Sequence, residues 1–320
     1  MNVLVFGKDG QLGKAFNALL DAQSSTSVNR LNIYYVGRSE CDLTNEQAIT
    51  SLLSQIEPDL IINASAYTSV DKAEIESVLA FAVNARAPEL MAQYTANHGA
   101  TFLHFSTDYV FDGEKYGFYL EDDLRNPLGV YGKSKAAGEE AIDRVFAGNS
   151  GAGQYAIMRA SWVYGEGDNF IRTILRLAKD RENLQVIEDQ YGAPTSAQWL
   201  AQVSLGLVIE EEGVLRKFPS GIYHAVPAGE TSWYGLASLA VEIALEAGTS
   251  LRVAPKDIKP IPAKEYPLVA PRPLNSRMST DKLGQVFKVR GDMSKLKQLN
   301  QPWDVAVRSY VSNLAADGLI

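Results

Sequence analysis

The sequence of 320 residues is 46% hydrophobic and 21% charged, which is typical of a soluble globular protein with one large domain or two joined ones. Its formal net charge is −8 and it has no run of Lys and Arg, so it lacks the basic face that a nucleic-acid partner requires. A single cysteine, Cys41, excludes an internal disulfide and a metal site built from several cysteines, and no apolar segment has the roughly 20 residues that cross a bilayer. We therefore predict a cytoplasmic protein with neither a nucleic-acid nor a membrane partner.

Five short apolar runs in the first half predict strands, and helical patterns alternate with them. The strand runs are NVLVFG, NIYYVG, DLIINAS, TFLHFS and YAIMRASWVYG. The second helix is predicted to open at Thr44 as its N-cap, and the long third helical pattern to break near Pro88. Strands that are almost continuously apolar are buried on both faces, so the pattern predicts an α/β fold with a doubly wound parallel sheet of the Rossmann type. Ligands of such sheets bind at the carboxyl ends of the strands.

The second half is predicted to add a smaller C-terminal substrate-binding domain. Residues 1–165 are the predicted dinucleotide-binding domain, and 195–226 return to its sheet through AQWLAQVSLGLVIE and GIYHAV. Residues 166–194 and 227–320 are the predicted substrate domain. Its proline-rich stretch, 254–276, excludes a long helix or a central strand, and we expect an ordered loop over a pocket.

Three glycines, Gly7, Gly10 and Gly13, follow the first predicted strand and open the first helix. Their spacing is G-x-x-G-x-x-G, a variant of the dinucleotide fingerprint. Glycines at these positions permit a tight turn and let the backbone approach a pyrophosphate at the helix N-terminus. A plain strand–helix turn is the alternative, but the position between an N-terminal strand and a helix favours a dinucleotide site.

The end of the second strand indicates which dinucleotide binds. NAD sites usually carry an acid there for the ribose 2′-hydroxyl, whereas an arginine suits the 2′-phosphate of NADPH. Gly37 and Arg38 occupy this point without an immediate acid, which favours NADPH with Arg38 as the partner of the 2′-phosphate and Lys8 as a helper. NADH stays possible, and Asp42 is placed to contact the adenine region.

A hydroxyl, a phenol and an ammonium follow the fourth strand. Thr107 stands at the end of that strand, and Tyr131 and Lys135 are four residues apart, so they share a face of a predicted helix. We predict that Thr107 holds a substrate carbonyl, that Tyr131 protonates it as hydride arrives from a nicotinamide, and that Lys135 holds the ribose and lowers the pKa of the phenol. A solvated pair is the alternative for YGKSK alone, and the position after strand four argues against it.

Ten motifs follow one another from the N-terminus almost to the C-terminus. They are FGKDGQLG, CDLTN, IINASAYTSVDKAE, FSTDYVFDG, YGKSKAAGE, RASWVYG, NFIRTILRLA, DQYGAPTSA, GIYHAV and RPLNSRMSTDKL. In this order they resemble the extended short-chain dehydrogenase/reductase superfamily and, within it, the dTDP-4-dehydrorhamnose reductases. The resemblance implies a nucleotide-sugar substrate and reduction of the 4-keto group of dTDP-6-deoxy-L-lyxo-4-hexulose to dTDP-L-rhamnose, with NADPH or sometimes NADH.

The resemblance also implies roles for single residues. Thr107, Tyr131 and Lys135 match the catalytic set. Cofactor contacts are implied for Gly10, Gln11, Leu12, Asp42, Leu43, Ser65, Ala66 and Tyr67. Substrate contacts are implied for Asp108, Trp162 and the C-terminal loop with Arg272 and Pro273, where Arg272 and Arg277 are spaced to clamp a diphosphate.

A metal site is not predicted. Some members of the family bridge subunits through a metal held by acidic side chains of the first helix, but this helix has Ala15 and no early acid. His98, His104 and His224 show no ligand spacing, so we predict structural roles for them. A homodimer is possible.

Other functions fit the same fold. A nucleotide-sugar 4,6-dehydratase needs Thr followed by Asp-Glu, whereas Asp108 is followed by Tyr109 here. A 4-epimerase recycles a tightly held NAD, and Arg38 suggests an exchangeable NADPH instead. A reductase of another nucleotide-linked 4-ketosugar and a non-catalytic NADP-binding regulatory subunit stay open.

Overall fold

The structure is a computed structural model that describes residues 1–26, 31–148, 151–210 and 212–320. Its strands are β1 (Asn2–Phe6), β2 (Asn32–Val36), β3 (Leu60–Asn63), β4 (Thr101–Thr107), β5 (Gln154–Ala160), β6 (Val163–Tyr164), β7 (Leu184–Ile187), β8 (Tyr191–Gly192), β9 (Thr195–Ser196), β10 (Gly221–His224), β11 (Thr231–Ser232) and β12 (Ile258–Ile261). Within the described residues, a parallel sheet has the strand order β10-β5-β4-β3-β1-β2. The remaining strands form short pairs outside it.

The helices connect these strands and cover them. They are α1 (Gln11–Thr26), α2 (Glu46–Ile56), α3 (Val70–Ala73), α4 (Ser77–Phe81), α5 (Ala87–His98), α6 (Val130–Ala147), α7 (Phe170–Asp180), α8 (Ala197–Val208), α9 (Trp233–Glu246), α10 (Asp281–Arg290), α11 (Met293–Leu299) and α12 (Trp303–Ala316). No helix of the described residues is both long and apolar enough to cross a membrane.

Buried side chains lie on both faces of the sheet. Phe16 and Leu20, four residues apart on α1, pack with Val3 of β1 and with apolar residues of α8 in one cluster. The next residue of β1, Leu4, belongs to a different cluster with α2, α5 and α6, because successive side chains of a strand point to opposite faces. The predicted α/β fold with a doubly wound parallel sheet is confirmed.

A second unit of packing lies outside the sheet. Helices α7, α9 and α12 share a buried cluster with β7 and β12, and the apolar residues of α7 recur at helical spacing. Helices α10 and α11 instead join the cluster of the sheet through Leu283, Phe287 and Leu299. The division of the chain into two domains stays a prediction, and its assignment of Asp281–Leu299 to the substrate domain differs from this packing.

Two helix boundaries differ from the sequence prediction. The N-cap of α2 is Asn45 and not Thr44, because the Asn45 side chain accepts the Ala48 N–H at 3.1 Å. The long helical pattern breaks between α3 and α4, whereas Ser77–His98 continues through a π turn at Ala82–Arg86. Pro88 lies in the first turn of α5 after this π turn, where a helix tolerates a residue without an N–H.

Later segments also differ in part. The fifth strand ends at Ala160, and Val163–Tyr164 pairs separately with Thr195–Ser196. The segment AQWLAQVSLGLV is helix α8, so within the described part of 195–226 only Gly221–His224 returns to the sheet as a strand. The proline-rich stretch contains β12, whose residues pair with β7 in a two-stranded sheet.

Candidate active site

The glycine loop after β1 has no room for side chains at two of its three glycines. Gly7 has a φ of +87°, and a Cβ there would lie 2.7 Å from the backbone nitrogen of Ser65. A Cβ on Gly13 would lie 1.9 Å from the carbonyl oxygen of Gly7. The Gly10 N–H donates to the same carbonyl at 3.0 Å and closes the turn. The lack of side chains at Gly7 and Gly13 therefore keeps this turn tight at the positive end of α1.

A buried acceptor also faces this loop region. The Gln11 side chain donates through Nε2 to the Asp168 carbonyl at 3.3 Å, and its Oε1 is buried without a hydrogen-bond partner among the described residues. A buried acceptor of this kind normally has a donor. The tight glycine turn and the unpaired Gln11 Oε1 fit a hydrogen-bonding ligand at the start of α1, such as a dinucleotide.

The end of β2 carries an acid that the sequence reasoning missed. Glu40 Oε2 accepts the Gly37 N–H at 2.8 Å, and Glu40 Oε1 pairs with Lys8 Nζ at 2.5 Å. The hydrogen bond from Lys8, with that from Gly37, lowers the pKa of Glu40 to about 2. Arg38 is exposed beside them. Glu40 was missed because it is three residues beyond Gly37 in the sequence, although its side chain folds back to the Gly37 N–H.

Asp42 and Leu43 lie next along this segment. The Asp42 carboxylate accepts both the backbone N–H and the hydroxyl of Thr44 at 2.9 Å, and these bonds lower its pKa. Leu43 packs against the buried cluster on the α2 side of the sheet. The turn after β2 is thus held by these contacts, and Arg38 is exposed on it.

The segment Ser65, Ala66 and Tyr67 after β3 is held by a residue that the sequence reasoning did not single out. Asn84, in the π turn, accepts the Tyr67 N–H at 2.8 Å and donates to the Tyr67 carbonyl at 3.0 Å. It also donates to Ser134 on α6 at 2.9 Å. Asn84 therefore ties the β3 loop to the helix of Tyr131. An asparagine within an otherwise apolar helical pattern, four residues before Pro88, could have signalled this role.

Thr107 and Asp108 at the end of β4 lie together with Tyr131, and Lys135 contacts the same strand. Thr107 is the last residue of β4, and its hydroxyl donates to Asp108 Oδ1 at 3.0 Å. Tyr131 lies in the first turn of α6, with Lys135 one turn further. Loss of solvation raises the pKa of Tyr131 to about 12, although a hydrogen bond with Thr107 acts in the opposite direction. Burial therefore outweighs the neighbouring groups in setting this pKa, and the prediction that Lys135 lowers it stays a prediction.

Lys135 is fully enclosed and hydrogen-bonded. Its Nζ donates to the Phe105 carbonyl at 2.6 Å and lies 3.3 Å from His104 Nε2. Burial lowers the pKa of Lys135 to about 8, and Glu139 on the same helix acts in the opposite direction. Arg159 of β5 in turn donates to Glu139 at 2.7 and 2.9 Å, and both side chains are buried. The ammonium is thus surrounded by neutral or already paired groups.

Asp108 is a buried carboxyl group with an open acceptor. Burial raises its pKa to about 6, although the hydroxyls of Ser276 and Thr107 favour the carboxylate. Its Oδ2 has no partner of hydrogen-bonding geometry in the part of the chain that the structure describes. Ser276 belongs to the C-terminal loop, so this loop reaches the end of β4. A ligand hydroxyl would satisfy the open oxygen.

The two predicted arginines and Trp162 also have protein partners. Arg272 pairs with both oxygens of Asp71 at 2.9 and 3.1 Å. Arg277 lies 3.4 Å from the Glu230 carboxylate. Trp162, whose φ is +50°, stacks on Trp233 with ring centroids 3.8 Å apart. The sequence reasoning missed Trp233. Its position as an aromatic residue at the start of an amphipathic helix could have signalled it.

Comparison with known proteins identifies the family. A family model described as the RmlD substrate binding domain matches residues 1–304. The chain belongs to this family. It is 38% identical to the dTDP-4-dehydrorhamnose reductase of Escherichia coli (strain K12) over 316 residues, which are 98% of each chain. The resemblance predicted from the motifs is confirmed, and with it the prediction of an oxidoreductase.

Solved structures agree with this assignment. The dTDP-4-dehydrorhamnose reductase of Clostridium acetobutylicum ATCC 824 superposes with a TM-score of 0.82 at 29% identity, covering 98% of this chain and 99% of that one. The enzyme of Bacillus anthracis str. Ames, solved in complex with NADP, superposes with a TM-score of 0.79 at 29% identity, covering 97% and 98%. The glycine loop and the end of β4 belong to a fold shared along almost the whole chain.

Proposed function

We propose that this chain reduces the 4-keto group of dTDP-6-deoxy-L-lyxo-4-hexulose to give dTDP-L-rhamnose, with NADPH as the hydride donor. One observation carries the proposal: Thr107, Tyr131 and Lys135 converge at the carboxyl end of β4, in the same sheet whose first strand opens the glycine loop. Parallel doubly wound sheets bind ligands at this edge. The family assignment supports the substrate class.

The cofactor site is proposed from the loops at that edge. Gly7, Gly10 and Gly13 would admit the pyrophosphate, and Gln11 with Leu12 would begin the helix that faces it. Arg38 would contact the 2′-phosphate, and the adenosine would lie against Asp42 and Leu43. Ser65, Ala66, Tyr67, Tyr131 and Lys135 would line the nicotinamide half. When bound, the reduced nicotinamide supplies a hydride to the substrate.

The reacting groups have separate proposed tasks. Thr107 would donate a hydrogen bond to the carbonyl oxygen and so stabilise the negative charge that develops there. Tyr131 would transfer its phenolic proton to that oxygen. A phenol with a pKa near 12 is fully protonated at neutral pH, so it is available as the acid. Lys135 would hold the ribose hydroxyls and stabilise the phenolate once the proton has left.

Substrate contacts are proposed for Asp108, Trp162 and Arg272. The open Oδ2 of Asp108 would accept a sugar hydroxyl, and the Trp162 ring would form an apolar wall. Arg272 is bound by Asp71, so a diphosphate would have to compete with that carboxylate. Exchange of one anionic partner for another keeps the guanidinium paired and desolvates no lone charge.

The first experiment follows NADPH oxidation by the purified chain when dTDP-6-deoxy-L-lyxo-4-hexulose is generated in situ by upstream enzymes. We expect stoichiometric formation of dTDP-L-rhamnose. Oxidation only with other 4-keto nucleotide sugars would support the alternative reductase. Binding of NADPH without oxidation or affinity for dTDP would support a regulatory subunit.

We expect Arg38→Ala to weaken NADPH binding about tenfold and NADH binding little, because only NADPH has the phosphate that this guanidinium would bind. Fluorescence titration with both cofactors measures the two dissociation constants. Equal losses for both cofactors would remove Arg38 from the phosphate site.

Glu40→Gln is expected to act in the opposite direction. The change removes a negative charge near the proposed phosphate site and frees Lys8 from its ion pair, so NADPH should bind roughly two- to fivefold more tightly. NADH affinity should stay constant or fall, since a carboxylate suits a 2′-hydroxyl. The same fluorescence titration measures both dissociation constants. Unchanged NADPH affinity would show that Glu40 does not compete with the phosphate.

The possible homodimer and the cytoplasmic location stay predictions. Sedimentation equilibrium of the purified chain and fractionation of the producing cells would test them.

A further inference from the structure

His104 lies between two polar side chains inside the sheet. It is fully buried in β4, with Nδ1 3.1 Å from Asn63 Nδ2 and Nε2 3.3 Å from Lys135 Nζ. Burial and the neighbouring Lys135 hold the pKa of His104 well below its usual range, so the ring is neutral. A neutral imidazole has one N–H and one acceptor nitrogen. Which nitrogen carries the proton decides what Lys135 faces.

The orientation of Asn63 decides the tautomer. Asn63 Oδ1 accepts the Ser65 backbone N–H at 3.2 Å and the Ser65 hydroxyl at 2.6 Å. A backbone N–H can only donate, so the amide oxygen must face Ser65 and the amide nitrogen must face His104. The amide nitrogen also only donates, and His104 Nδ1 is therefore the acceptor. The ring proton is then on Nε2, directed at Lys135.

An N–H directed at Lys135 discriminates between the two forms of that side chain. The ammonium form has no lone pair, so its N–H groups and the N–H of His104 Nε2 would be two donors facing each other without an acceptor. The amine form accepts that N–H while it donates to the Phe105 carbonyl. We propose that His104 is a positioning residue whose tautomer, fixed by Asn63 and Ser65, keeps the amine form of Lys135 accessible near neutral pH.

The other groups around Lys135 do not replace this effect. Glu139, on the same helix, favours the ammonium, but Arg159 from β5 is paired with it. Tyr131 shares the helix and is neutral. The Phe105 carbonyl accepts from either form of the lysine, but more strongly from the ammonium. Among the groups just named, His104 is thus the one that acts in the same direction as burial.

This inference rests on the proposed role of Lys135 beside Tyr131. In the proposed reaction the phenol gives up its proton in each turnover and must regain one. A neighbouring lysine with a pKa near 8 exchanges protons near neutral pH more readily than one at the ordinary value. The contacts from Ser65 to Lys135 do not depend on the sugar that is reduced.

Two substitutions of His104 distinguish the effect of its N–H donor from the effect of removing the imidazole ring. His104→Gln can place an amide N–H near the position of Nε2 and keep a donor toward Lys135. His104→Asn reaches only the position of Nδ1 and leaves Lys135 without that donor. A third variant, Asn63→Asp, replaces the amide donor with a carboxylate, which would draw the ring proton to Nδ1 and turn Nε2 into an acceptor.

The readout is the dissociation constant of NADPH measured by fluorescence from pH 6 to 10, with the pH profile of kcat/KM beside it. We expect the transition belonging to Lys135 to lie near pH 8 in the unaltered chain and in His104→Gln. In His104→Asn it should move up by about one pH unit, because the ammonium is no longer opposed by a donor. In Asn63→Asp it should move further, because the new buried carboxylate also attracts the ammonium.

The binding profile needs no turnover, so failure of the proposed sugar reduction leaves this test intact. Profiles that keep their transition near pH 8 in both His104→Asn and Asn63→Asp would overturn the inference. An equal upward shift in His104→Gln and His104→Asn would also overturn it, since the donor would then be irrelevant. Circular dichroism of the three variants checks that each is folded.

Discussion

Tyr131→Phe should lower kcat about 10²- to 10⁴-fold, which is the usual contribution of a positioned general acid. The substitution removes the phenolic proton and leaves the ring in place. The dissociation constant of NADPH should change little, because the substitution removes a proton donor and leaves the glycine loop at Gly7 and Gly13 unchanged. Steady-state kinetics and fluorescence titration measure the two quantities on one preparation.

Tyr109→Phe is a matched control for this loss. The Tyr109 ring packs edge-on against Tyr131 with centroids 5.5 Å apart, so the same atom is removed from a neighbouring phenol. The proposal gives Tyr109 no proton to transfer, and we expect its kcat to stay within a fewfold of the unaltered chain. Full activity in Tyr131→Phe, or equal losses in both variants, would contradict the assignment of Tyr131 as the acid.

Arg159→Met should reduce the free energy of unfolding by about 3–5 kcal/mol, because it leaves the carboxylate of Glu139 buried without its main partner. Arg159 and Glu139 are 1% and 0% exposed, and the guanidinium donates to both carboxylate oxygens. Glu139 is one turn beyond Lys135, so the pair also supports the candidate site. Urea unfolding followed by circular dichroism gives the free energy.

Two further variants show whether the lone charge causes the loss. Arg125→Met removes a second, partly exposed guanidinium 3.3 Å from Glu139 and should cost about 1 kcal/mol or less. The double variant Arg159→Met with Glu139→Gln should recover part of the stability, since no uncompensated charge stays buried. A double variant that is less stable than Arg159→Met would show that the loss comes from packing instead, for example against Phe111, over which Arg159 lies at 4.9 Å.

Much of the fold could be read from local pattern. Strands such as NVLVF are apolar along almost their whole length because both faces are buried, and the helices between them keep apolar residues at helical spacing. The wrong predictions concern positions where the local sequence is compatible with two structures. Thr44 and Asn45 are both good N-caps, and an apolar segment such as AQWLAQVSLGLV fits a buried strand or a buried helix equally well.

The sequence by itself determined the glycine loop, the i, i+4 spacing of Tyr131 and Lys135, and the apolar runs that form the strands of the parallel sheet, because each depends on residues close together in the chain. Only the tertiary structure decided that Glu40 pairs with Lys8, that Asn84 joins the β3 loop to α6, and that His104 faces Lys135. It also decided the direction of the Tyr131 pKa. Desolvation and the orientation of hydrogen bonds depend on every group packed around an atom, and most of those groups come from distant parts of the chain.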